Sequence, residues 1–125
     1  MGGLRVLKPI LQKLPPEIQK TLIERGLNRL VRSGALPHIS KVILFGSGAR
    51  SELTEISDLD FCVIVHEGTD VKLIKRMIAQ APREAGDEVV YDVLVFDGET
   101  FQSKSQMGGV CQIIAEEGLV IFSSQ

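Results

Sequence analysis

The sequence predicts one α/β domain, of the α+β kind, with helices flanking a small mixed central sheet. Two kinds of segment predict it. "KVILFG" (41–46), "DFCVIV" (60–65) and "EVVYDVLVF" (88–96) are short apolar runs rich in β-branched and aromatic residues, the pattern of buried strands. Between and around them lie segments whose apolar residues recur every three to five positions, the pattern of amphipathic helices. With 125 residues, the chain is long enough for one core.

The elements follow in the order αβαβαβαβ. Residues 1–15 carry Pro9 and Pro15 and have no clear period; a short helix over Val6–Leu14 or an arm is expected there. Pro16 suits a first helical turn. The run after it, through Gly34, places Ile18, Leu22, Leu27, Leu30 and Val31 on one stripe, and Gly34 ends the helix. Residues 1–35 are read as part of the same domain as the core over 36–125. After the strand at 41–46, "SGARSELTEIS" is polar and is expected to start with a short helix. Past the second strand, Thr69 or Asp70 caps a helix with Val71, Ile74 and Ile78 on one face, and Pro82 stops it. Beyond the third strand, "FQSKSQMGGVCQIIAEEG" reads as a loop and then a helix, weak at Gly108-Gly109 and closed by Gly118. "LVIF" is a final short strand.

Composition narrows the function. The residues are 44% hydrophobic and 24% charged, with a net charge of −2, which argues against a nucleic-acid coat or a polybasic membrane binder. A local patch such as Arg25, Arg29 and Arg32 on the first helix remains compatible with it, and is read as a solvated face rather than an RNA surface. Cys62 and Cys111 show no metal-ligand spacing and are expected to be buried free thiols. The N-terminal stretch is interrupted by Lys8, Pro9 and Lys13, so it reads as neither signal peptide nor membrane span. A soluble cytoplasmic protein is expected.

The chemistry concentrates in "FGSGARSELTEISDLDFCVIV", Phe45 to Val65. Asp58 and Asp60 are two apart in extended chain, so their carboxylates address the same side. Two anions about 4 Å apart repel by about 4 kcal/mol at an effective dielectric of about 20. A cation between them, or a retained proton, makes the arrangement tolerable. Hard oxygen donors suit Mg²⁺ or Mn²⁺. Asp92 interrupts an apolar strand, where a carboxylate is costly without a partner, and is the candidate third ligand. The Gly46-Ser47-Gly48 break lets backbone approach a ligand, and its hydroxyl and N–H groups suit phosphate oxygens. No lysine follows, so this is not a Walker loop.

These residues resemble the signature of the DNA polymerase-β nucleotidyltransferase superfamily: a Gly-Ser pair (Gly46-Ser47), ten residues (Gly48 to Ser57), then Asp-x-Asp (Asp58 and Asp60). The longer form seen in small stand-alone members, G-S-x-A-R-G, five residues, S-D-x-D, is matched at Gly46, Ser47, Ala49, Arg50, Ser57, Asp58 and Asp60. It is departed from at Ser51, where that form has glycine. The resemblance spans roughly Lys41 to Phe96 and, more loosely, the C-terminal end.

The resemblance implies a polymerase-β-like fold and a Mg²⁺-dependent transfer of a nucleoside monophosphate from an NTP, ATP foremost, to an acceptor hydroxyl. It implies Asp58, Asp60 and Asp92 as catalytic metal ligands, with Asp92 helping to activate the hydroxyl. The nucleotide-binding set is Gly46, Ser47, Arg50 and Ser57. For Arg50, pairing with Glu52, Glu55 or a site aspartate is an equal reading, and Ser57 is read chiefly as orienting the loop before Asp58. It further implies a partner, a HEPN-like toxin that this chain would modify as an antitoxin. The alternative is a catalytically weak binding module of the same fold that neutralises its partner by complex formation. Self-association through "LRVLKPILQKL" is a further expectation.

Overall fold

The computed structural model describes residues 12–124. Four strands form one sheet in the order β3-β2-β1-β4. They are β1 (Ile39–Phe45), β2 (Leu59–Val65), β3 (Tyr91–Asp97) and β4 (Leu119–Ser123). β1 is antiparallel to both β2 and β4, and β2 is parallel to β3, so the sheet is mixed, as expected. The helices are α1 (Pro16–Arg32), α2 (Val71–Ala79), α3 (Gly98–Ser105) and α4 (Val110–Glu117).

Helix α1 starts at Pro16, whose missing N–H is no loss in a first turn. It ends before Gly34, which takes φ +78°. The stripe it buries is rotated from the one expected. Gln19, Gly26 and Leu30 are buried, whereas Ile18 and Val31 are 46% and 54% exposed. Helix α2 is capped by Asp70, whose carboxylate accepts from the N–H groups of Lys72 and Leu73 at 3.0 and 3.3 Å. It buries Ile74 and Ile78 as its spacing predicts.

The sheet has two unequal faces. Leu59, Phe61, Val63 and Val65 of β2 point to the main core, shared with Leu30, Ile74 and Ile78 of the two longer helices. The opposite face carries a smaller cluster in which Ile43, Cys62 and Ile64 meet Ile114 of α4 and Phe101 of α3. Both cysteines are free and buried there. Burial, and to a lesser degree Cys111, push the Cys62 thiol up to about 12.

Two expectations are corrected, and the element order with them. The segment after β1 forms no helix: it is a series of turns in which the N–H groups of Arg50, Ser51 and Glu52 reach back to the carbonyls of Gly46, Gly48 and Ser47. Ser51 takes φ +56°, a left-handed conformation that cannot propagate a right-handed helix. The stretch expected as a loop after β3 is helical. Asp97 accepts from the N–H and the hydroxyl of Thr100 at 2.7 and 2.9 Å and starts α3, and the Gly108-Gly109 break separates α3 from α4. The element order is therefore αββαβααβ. The N-terminal reading over Val6–Leu14 lies mostly outside the described residues; residues 12–15 have no regular structure.

Candidate active site

Asp60 and Asp92 are register partners across the parallel strands β2 and β3, so their side chains leave the same face of the sheet. It is the face of the smaller cluster. Along β2 it carries Asp60, then Cys62 and Ile64; along β3 it carries Asp92, then Leu94 and Phe96. Helices α3 and α4 cover the apolar members and leave the end with the two carboxylates open. Asp60 is half-buried, and Asp58 and Asp92 are exposed.

Burial raises the Asp60 carboxyl above its ordinary 3.8; Asp92 raises it further, then Asp58, while Arg50 opposes them. The three carboxylates thus share one field, with Arg50 as the compensating cation. Arg50 also meets Glu52 at 3.4 Å in an exposed ion pair. Among the described residues no three His, Cys, Asp or Glu side chains are grouped closely enough to hold a metal ion as they stand. The donor chemistry fits a hard divalent cation all the same: carboxylate oxygens of one sign, mutually repelling and under-compensated.

Phe45, the last residue of β1, is paired with Asp60, which puts the Gly46 turn beside that carboxylate. Gly46 has φ +69°, and a Cβ there would overlap Asp60 Oδ2. Glycine is required twice over, by conformation and by close approach. Gly48 packs so tightly on Leu44 that a Cβ would sit 3.0 Å from Leu44 Cδ1. Ser47 is half-buried in the same turn. The Ser57 hydroxyl accepts from the Thr54 N–H at 2.8 Å and lies 3.1 Å from the Thr54 hydroxyl, tying down the loop that delivers Asp58. Beside Asp58 and Ser57 opens a hollow of about 380 Å³ that neither Asp60 nor Asp92 lines, with Ile18, Ile56 and Val90 exposed around it.

Gln19 was missed. Buried on α1, it donates from Nε2 to the carbonyls of Leu14 (2.7 Å) and Ser51 (3.3 Å), and its Oε1 accepts from the Leu53 N–H at 3.3 Å. It ties the helix to the exit of the Gly46-Ser47 turn. The available signal was a polar residue in the register of Leu22, Ile23, Gly26 and Leu30. Tyr91 is a packing residue. Its ring stacks on Phe61 with centroids 6.2 Å apart, and its hydroxyl donates to the buried Asp87 at 2.8 Å.

The family model for a nucleotidyltransferase domain matches residues 23–121. Among solved structures, a candidate nucleotidyltransferase from Sulfolobus solfataricus is similar at a TM-score of 0.54 and 18% identity, over 86% of this chain and 85% of that one. Spectinomycin adenyltransferase AAD(9) from Enterococcus faecialis, solved with ATP and spectinomycin, aligns at a TM-score of 0.48 and 18% identity, over 85% of this chain and 56% of its own. Among curated proteins none matches. The first of these structures has the same fold as this chain. Together with a family match over most of its length, this places the chain in the nucleotidyltransferase domain family.

Proposed function

We propose that this protein transfers a nucleoside monophosphate, from ATP or another NTP, to an acceptor hydroxyl. The observation that carries the reading is the Asp60–Asp92 register pair, with the Gly46 turn against Asp60. Asp58, Asp60 and Asp92 are the residues that would hold Mg²⁺ or Mn²⁺. When bound, the metal supplies charge neutralisation on the phosphate oxygens. The rest is done by the chain. The turn from Gly46 to Ala49 offers backbone N–H groups and the Ser47 hydroxyl to the triphosphate, and Arg50 adds its side-chain cation within the field of Asp60. Asp92, exposed at the open end of the sheet face, is placed to accept the proton of the incoming hydroxyl. Strands β2 and β3 fix the geometry, so catalysis is positioning with charge stabilisation.

The exposed apolar rim of Ile18, Ile56 and Val90 beside Asp58 suits a protein surface, and we take the acceptor hydroxyl to lie on a partner protein such as a HEPN-type toxin. The same rim favours the second reading, a binding module of the same fold that acts by complex formation alone. The test is a radiolabelled-NTP transfer assay against candidate partners with wild type and Asp60→Asn/Asp92→Asn. Label transfer lost in the double variant supports the enzyme. Partner neutralisation unchanged in that variant, with no transfer by wild type, supports the binding module.

A further inference from the structure

Behind the carboxylates, on the other face of β3, lies a second hollow of about 370 Å³ between α1, α2 and the edge strand. Its walls include Arg29, Lys75, Ala79, Tyr91, Val93 and Val95. Tyr91, Val93 and Val95 alternate with Asp92 along β3, so the strand is a common wall between two back-to-back sites. The size is that of small-ligand sites.

Its charge is unbalanced. The ion pairs among the described residues are Arg32–Glu84 and Arg50–Glu52, and neither engages Arg29 or Lys75. Arg29 Nε is buried with no hydrogen-bond partner. A buried donor left unused is unfavourable, and a cation more so. The Arg29 guanidinium stands 5.2 Å from the centroid of the Tyr91 ring, which steadies it without using that donor. Asp87, the carboxylate nearest the ring hydroxyl, is already committed to Tyr91 and to the Val89 N–H. Below the two cations the floor is aliphatic: Ile78, Ala79, Val93 and Val95.

We propose that this hollow binds a small organic anion, a phosphate or carboxylate on a compact apolar body. The anionic head lies between Arg29 and Lys75, and the body rests on Ile78, Ala79, Val93 and Val95. Arg29 suits the head because its fork donates in two directions, and Lys75 closes on it as a point charge. The site lies on the face of β3 opposite the carboxylate pair.

The experiment is a titration of the full ¹⁵N-labelled chain, free of divalent metal, with phenyl phosphate, benzoate and inorganic phosphate, followed by amide shifts. Saturable shifts at Lys75, Ala79, Val93 and Val95 are expected with phenyl phosphate or benzoate. The tighter of the two assigns the head group, and inorganic phosphate binds at least tenfold more weakly. Lys75→Gln, a change on an exposed side chain, weakens binding about tenfold, and Arg29→Gln weakens it further. No saturable shift at those amides with either organic anion, or an affinity unchanged in Lys75→Gln, overturns the proposal. Inorganic phosphate binding as tightly as phenyl phosphate overturns the part played by the apolar floor.

Discussion

Asp60 and Asp92 stand opposite each other in register on parallel neighbours, with the Gly46 backbone closed over the first of them. Like charges are placed side by side here, and after burial Asp92 is the chief influence raising the proton affinity of Asp60. Such an arrangement detracts from stability unless a cation offsets it. Asp60→Asn is therefore expected to leave the melting temperature at pH 7 equal or higher, while nucleotidyl transfer falls about a hundredfold or more. Calorimetry and the transfer assay on one preparation check both halves. A drop in melting temperature would contradict the charge argument.

Gly46→Ala tests the turn. The added methyl group meets the Asp60 carboxylate, and φ +69° is unfavourable for alanine by about 1 kcal/mol or more. Both effects displace the carboxylate. Activity is expected to fall about a hundredfold with the fold retained by circular dichroism.

Ser51 is the one position where the chain departs from the glycine of the longer signature, and it sits at φ +56°. Ser51→Gly is expected to stabilise by a few tenths to about 1 kcal/mol, because relief of left-handed strain exceeds the added chain entropy. Ser51→Val is expected to destabilise by more than that. Urea midpoints for the two variants decide the sign.

Gln19→Leu removes three hydrogen bonds at once and leaves the Leu53 N–H and the Leu14 and Ser51 carbonyls without this partner. A loss of about 1–3 kcal/mol is expected. Because the residue holds the exit of the turn, the transfer rate is expected to drop while the pH profile of the reaction keeps its shape.

Asp97 gives a pH test away from the site. Its hydrogen bonds to Thr100 hold its carboxyl below the ordinary 3.8. The sign follows from linkage: this stabilisation is present above about pH 4 and is lost as pH falls through the lowered folded-state value. Asp97→Asn keeps a capping side chain but removes the titration, so the acid limb of a stability profile flattens at this group.

Much of the candidate site was legible because its residues are close in sequence. The Gly46-to-Asp60 spacing, the two strands it joins and Asp92 in an apolar run are all local patterns. What was not legible depends on distant partners. Gln19 is an ordinary helix residue until α1 meets the Ser51–Leu53 loop. The thirteen residues between β1 and β2 (46–58) are long enough for a crossover and so hid the antiparallel pairing of those strands. Helix α3 was hidden by its polar face, since Phe101 is its only large apolar residue, although Asp97 and Thr100 spell its cap. The rotated stripe of α1 arose from counting apolar residues and passing over Gly26, which is buried because Phe61 and Tyr91 leave no room for a side chain.

The two partners of the carboxylate pair are held unequally. Asp60 belongs to β2, bonded to a neighbour on each side and buried along most of its length; Asp92 belongs to β3, bonded on one side only and largely half-buried. Edge strands open before central ones. The carboxylate pair of the proposed site is therefore tied to a sub-global unit less stable than the whole. As denaturant rises, transfer activity should vanish at concentrations where β1 and β2 still protect their amides from exchange. For the proposed transfer reaction, the working limit is the peeling of one strand, not the melting of the domain.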